Sequence, residues 1–231
     1  MKYTKIGIIS ILVIIIGILA FLIYPRLLLV KAIMNFTELE SVHIEGTFKL
    51  SNGQYEIDLK GNANFSNSIF HADLSTDYIW NPIRAELYVD NDKSGVKSYL
   101  STNLSDDWIL HKKKLSNQDL KISRDDIDFK KVKSDRKGEK KFRVEISGET
   151  LSSLLPNSSN KITLYLYLKG DKISGIQTYD NIVLSKEENL YINNIDLTFS
   201  SWNTISSITI PEDIEKNSKV IDKNVLETLF S

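Results

Sequence analysis

From Val42 onward the apolar residues of this chain fall on every second position, and that period decides what the polypeptide can fold into. In the stretch VHIEGTFKL the alternate positions Val42, Ile44, Gly46, Phe48 and Leu50 are separated by His43, Glu45, Thr47 and Lys49. Tyr55, Ile57, Leu59, Gly61, Ala63 and Phe65 continue the pattern against Gln54, Glu56, Asp58, Lys60, Asn62 and Asn64. Successive side chains of a strand point to opposite faces, so this spacing predicts strands buried on one side only, as in an antiparallel sheet. The alternation returns at Phe70, Ala72 and Leu74, at Ala85, Leu87 and Val89, and at Phe142, Val144 and Ile146. Ile162, Leu164, Leu166 and Leu168 follow, then Ile195, Leu197 and Phe199. Asn52-Gly53 predicts a tight hairpin, and Asp135 to Gly138 a second turn. Asn193-Asn194 breaks the phase of its strand and predicts a bulge. The strands read as one continuous meander with no βαβ unit.

The N-terminus obeys a different rule. Ile6 to Tyr24 is 19 residues without a charge, enough as a helix to cross the ~30 Å hydrocarbon core of a bilayer. Lys2 and Lys5 precede it, which places residues 1–5 in the cytoplasm, 6–24 in the membrane and 25–231 outside the cytoplasm. A cleaved signal peptide is the competing reading. Its apolar region is shorter, about 7–15 residues, and ends in small residues; here only Ala20 is small near the end, with Ile18 two places before it. An uncleaved anchor fits better. After Pro25 the period is helical over residues 26–40, where Leu29, Ile33 and Phe36 share one side, as do Val30, Ile33 and Met34. So broad an apolar face must be covered, by lipid headgroups or by the following domain, and the scarcity of cations beside it favours the domain. Two further helices are expected, Gly148 to Leu155 and the C-terminal region 211–230 opened by Pro211.

Signatures of chemistry are missing. The chain has no cysteine, which removes disulfides, thiolate ligands and thiol nucleophiles. His43, His71 and His111 fall on the polar faces of different strands without ligand spacing, so no metal is expected. Acidic neighbours such as Asp106-Asp107 and Glu187-Glu188 point apart, and phosphate loops, dinucleotide fingerprints and nucleophile elbows are absent. Neither a catalytic residue nor a cofactor is expected; the chain reads as no enzyme. Net charge is −1, which gives no field for nucleic acid. Charge is nevertheless uneven. Residues 112–143 hold thirteen Lys/Arg against six Asp/Glu, a basic hairpin that is either a solvated face or, through Lys130, Lys131 and Lys133, a contact for an anionic surface.

The order of parts is informative. A leading helix ends in NFTELESVHIEG, a long run of strands follows with Asp107-Trp108 at a polar break, and the run closes on SITIPEDI at Ser207 to Ile214. This order resembles the LolA/LppX-type superfamily of extracytoplasmic lipid and lipoprotein carriers and related membrane-attached proteins of Gram-positive bacteria. The resemblance covers about residues 27–216, and in place of a lipid-modified cysteine this chain has its apolar N-terminal run. It implies a mainly β (α+β) fold, an antiparallel meander curled into an unclosed half-barrel covered by short helices. It also implies an apolar groove lined by Phe48, Tyr55, Ile57, Leu59, Phe70, Leu87, Leu164, Leu166, Leu197 and Phe199, whose alternative is a filled core. The function so implied is a non-enzymatic, membrane-anchored domain of the cell envelope that binds a lipid or other apolar ligand. The alternative is an extracytoplasmic sensor or protein-interaction domain with an envelope protein as partner and no ligand cavity.

Overall fold

The computed structural model describes residues 27–76, 82–92, 95–113, 127–146, 161–185 and 189–221. The expected membrane span, the expected helix Gly148 to Leu155, residues 114–126 and residues 222–231 of the expected C-terminal helical region lie outside these residues. Among the described residues no helix is long and apolar enough to cross a membrane.

Residues 27–37 form helix α1. Twelve strands follow: β1 Ser41–Ser51, β2 Glu56–Ser66, β3 Ile69–Thr76, β4 Arg84–Asp92, β5 Gly95–Thr102, β6 Ser105–Lys113, β7 Ile127–Val132, β8 Lys140–Ile146, β9 Ile162–Lys169, β10 Lys172–Thr178, β11 Ile182–Ser185 and β12 Leu190–Ser200. A short helix α2, Glu212–Asn217, and a two-residue strand β13, Lys219–Val220, end the described chain. Among the described residues all thirteen strands belong to one open sheet in the order β13-β6-β5-β4-β3-β2-β1-β12-β10-β9-β8-β7, with β11 paired to β12. Every pairing is antiparallel except β13 with β6.

The single continuous meander is corrected by this order. β1 to β6 form one meander and β7 to β10 another, and β12 joins them by pairing with β1 from Ser200 opposite His43 to Tyr191 opposite Ser51. Consecutive β6 and β7 therefore stand at opposite sides of the sheet. Turn residues encode local hairpins only, and nothing in them specifies a partner some 150 positions away.

The bulge at Asn193-Asn194 is present. Thr47 faces Asp196 but Lys49 faces Asn193, so β12 carries one extra residue, accommodated by Asn194 at φ +49°. The Asn52-Gly53 turn is wider than expected. The Asn52 carboxamide oxygen accepts the backbone N–H groups of Gln54 (3.1 Å) and Tyr55 (2.9 Å), making a four-residue connection with Gly53 at φ +84°. In the described part of the expected C-terminal helix, up to residue 221, α2 stops at Ser218, which donates to the Ile214 carbonyl through both its N–H and its hydroxyl, and Lys219 and Val220 pair with β6.

The main core lies between α1 and the sheet. Leu29 and Ala32 of α1 pack on Val42, Phe142, Val144, Leu166, Leu168 and Phe199, all fully or nearly buried. Phe36 closes its far end edge-on against Phe199 (5.3 Å between centroids) and Trp202 (5.9 Å). A second, smaller cluster forms on the opposite face, where Ile208, Ile210 and Ile214 cover Tyr88, Tyr99 and Leu110.

Candidate functional site

The register of the strands turns the alternation into two continuous faces. On the first, Phe199, Ile44, Ala63, Ala72, Leu87 and Leu100 form one row across six strands. The next row contains Leu197, Gly46, Gly61, Leu74 and Ala85. Small residues thus occupy the centre of this face, and large ones flank it. Gly46 stands directly opposite Gly61; a Cβ on Gly46 would lie 2.4 Å from a methyl of Leu197, and one on Gly61 2.5 Å from a methyl of Leu74. The two leucines fold over the gap that the glycines leave.

The residues expected to line an apolar groove divide by what covers them. Leu164, Leu166, Leu197 and Phe199 belong to the core beneath α1. Phe48, Ile57, Leu59, Phe70 and Leu87 are half-buried. Leu87 clusters with Leu74, Ala85 and Leu100, all strand residues. Tyr55 stands apart: it is 69 % exposed in the turn that the Asn52 side chain organises, before β2 begins. Lys130, Lys131 and Lys133 are exposed, but they do not share a face. Lys131 pairs with Phe142 on the side of α1, Lys130 pairs with Arg143 on the other side, and Lys133 follows the strand end. Their strand is a sheet edge, where lysine also discourages pairing with another chain.

The polar residues form the second face, with an open groove of about 1240 Å³ running across β12, β1, β2, β3, β4 and β5. Its walls carry six carboxylates against Lys60, Arg84 and Arg136. Arg136, from the β7–β8 turn, closes one end. Its guanidinium lies over the Tyr167 ring (3.9 Å) and donates to Asp196 (2.5 Å), and it occupies the space above Gly175 where a Cβ would meet it. The Tyr167 hydroxyl donates to Gln177, which donates to Asp196, so the hairpin is tied to β9, β10 and β12. The Tyr167 hydroxyl and the Lys141 ammonium hold the Asp135 carboxyl below the usual carboxylate range.

One grouping escaped the sequence. His71, Asp73 and Glu86 place one ligand-type atom each within 4.8 Å of one another. His71 and Asp73 are two apart on β3, and Glu86 faces Asp73 from β4. The i, i+2 spacing was visible; the register that adds Glu86 was not. The His71 ring nitrogen lies 3.0 Å from the Glu86 carboxylate, and the ring stacks on Tyr88 at 4.2 Å. That reads as a hydrogen-bonded pair at the groove wall. His111 is a correction: it lies opposite Ser98 in the row of Val89 and Phe70, on the apolar face, with its Nδ1 buried and unbonded among the described residues.

No protein-family model matches this sequence, and no curated protein matches it. Solved structures similar to the chain include lipoprotein LppX of Mycobacterium tuberculosis, 12 % identical, TM-score 0.47, covering 80 % of this chain and 99 % of that one. LprF of Mycobacterium bovis is 12 % identical with TM-score 0.41 over 81 % of this chain and 95 % of its own. A DUF1329 family protein of Desulfovibrio piger is 8 % identical with TM-score 0.30 over 79 % and 94 %.

Proposed function

We propose that this chain is a non-enzymatic, membrane-anchored domain of the cell envelope that holds an acyl chain or other apolar ligand on the apolar face of its open sheet. One observation carries the reading. The apolar face runs unbroken from β12 to β5, yet among the described residues the only helix packed on it is α1, at the β8, β9 and β12 end. Where α1 packs, the face is core. Across β2 to β4 the small side chains of Ala63, Ala72 and Ala85 are buried between half-buried Phe48, Leu59 and Leu87, and this stretch is the seat the reading gives to the apolar ligand. Anchorage comes from the Ile6 to Tyr24 run, with the N-terminus in the cytoplasm. Contact of Lys130, Lys131 and Lys133 with an anionic surface belongs to the same reading; unchanged binding to anionic vesicles after charge reversal at all three would remove it.

Native mass spectrometry of the full chain extracted from membranes tests the ligand. The expected result is a co-purifying lipid mass that a fluorescent fatty acid displaces. A bare chain that also takes up no fatty acid sinks the proposal. The polar groove favours a second reading, a sensor or interaction domain that presents this face to a polar partner, because its open, charged walls suit hydrogen-bonded contact. A bare chain that captures a defined envelope protein through Arg84 and Glu86 would select it.

A further inference from the structure

α1 is apolar on both sides. Its inner side is core, while Leu27, Val30, Ile33 and Met34 are 62, 45, 43 and 56 % exposed. At 3.6 residues per turn these four fall within an arc of about 120°, one contiguous outward stripe. A helix apolar all round is buried all round. Here the fold covers one side only.

Two observations say what covers the other. Only Pro25 and Arg26 separate Leu27 from the uncharged Ile6 to Tyr24 run, and a connection that short reaches no more than ~10 Å. Wherever that run is held in lipid, the first turn of α1 is held at the lipid boundary. Beside the stripe stands a cationic rim. The β9–β10 turn is docked on α1 by Asn35, which donates to the Asp171 carbonyl (2.9 Å), and by Lys31, which pairs with the Asp171 carboxylate (2.8 Å). That turn is flanked by exposed Lys169 and Lys172, and Lys140 faces it across a hollow of about 490 Å³ that Leu27 and Leu28 also line. Four lysines against one aspartate, next to an apolar stripe, is the arrangement of an interfacial helix on anionic lipid.

We propose that the outward face of α1 is a membrane-contact surface, lying in the headgroup region of the bilayer that holds the N-terminal run, with Lys169 and Lys172 on anionic headgroups. This rests on the reading of that run as an anchor. α1 is then a layer between bilayer and sheet, and the apolar face of the sheet is turned toward the lipid. A bound acyl chain has only the thickness of one helix to pass.

The absence of cysteine makes the test clean. Single cysteines at Val30, Met34 and, as control, Asn62 on the polar face are labelled with an environment-sensitive fluorophore in the full chain. The variants are reconstituted in phosphatidylcholine vesicles with and without phosphatidylglycerol, and quenched by lipids with spin-labelled acyl chains. The expected result is blue-shifted emission at positions 30 and 34, quenched several-fold more than at 62. The difference grows with phosphatidylglycerol and shrinks in a Lys169→Glu, Lys172→Glu background. A photoactivatable lipid in the same vesicles is expected to label residues 27–34 of the unsubstituted chain, which removes any dependence on a variant's folding. Chains that float with the vesicles but show no excess quenching at 30 and 34 overturn the contact and leave the anchor standing. Blue-shifted labels that the lipids do not quench mean a second copy covers the stripe, which also overturns it. Chains that do not float overturn anchor and contact together.

Discussion

Gly46 and Gly61 show how single residues set the shape of this sheet. They face each other on β1 and β2, and each gives up its Cβ position to a leucine from the neighbouring strand. Gly46→Ala places its methyl 2.4 Å from Leu197 and 2.8 Å from the Asp196 carbonyl oxygen. A side-chain methyl can swing away, but the carbonyl belongs to the ladder. The expected loss is about 1–3 kcal/mol, the usual cost of overpacking a filled site, read as a lower midpoint in denaturant at unchanged slope. Tyr88 supplies a residue-scale test of pH. It is buried against His71, Trp108 and Ile214, and burial, then the Glu86 carboxylate, pushes its phenol up to about 12. A raised folded value favours the protonated form. The stability it contributes is therefore complete below the ordinary tyrosine range, near ~10, and is lost as pH rises from there through about 12. Burial pushes Tyr99 and Tyr167 up as well, so absorbance titration should show late tyrosines, and Tyr88→Phe should remove one of them and flatten that part of the alkaline loss. Ionisation of all tyrosines together at the ordinary pH would refute it.

At the scale of elements, α1 is the piece whose docking decides most. Its inner face holds the main core, and Phe36 is the clamp, in contact with both Phe199 and Trp202. Phe36→Ala removes both edge-on contacts and, because Phe36 is half-buried, is expected to cost less than the ~3–5 kcal/mol of a fully buried phenylalanine, with Trp202 emission shifting to the red and amide exchange across residues 27–37 accelerating first. The Lys31–Asp171 ion pair on the same helix is exposed on both sides and adds little; its removal is expected to change stability by well under about 1 kcal/mol. α2 illustrates a smaller element settled from outside. Its six residues are too few to be stable alone, and Ile214, buried between Tyr88 and Leu110, holds it in place.

At the scale of the whole molecule the question is which part of the apolar face is core and which is the seat of a ligand. Placing an aspartate at Leu59 or at Leu166 cannot answer it, because both bury a charge. Enlargement can. Leu166 is 7 % exposed in the cluster under α1, and Leu59 is half-buried beside Phe48, away from that cluster. Leu166→Trp is expected to destabilise by about 1–3 kcal/mol or more, as overpacking does. Leu59→Trp should cost much less and instead lower fatty-acid uptake. Equal destabilisation at both positions would show a filled core throughout and end the carrier reading.

Much of this was legible beforehand, for physical reasons. The period of two placed Ile44, Ala63, Leu87, Leu164 and Phe199 on one face because pleating alternates side chains whatever the partner strand, and Asn193-Asn194 announced its bulge by breaking that phase. Tyr55 was misplaced because one carboxamide, Asn52, reorganised the turn in front of it. The β1–β12 seam, the pairing of Glu86 with His71, and the part of the apolar face on which α1 packs were not legible. Each depends on contacts between residues far apart in the chain, which local pattern does not encode. For α1 the sequence by itself determined that both sides are apolar, since helical spacing is a property of the segment alone. Only the tertiary structure decided which side is core and which faces outward, because that follows from the surface against which the helix packs.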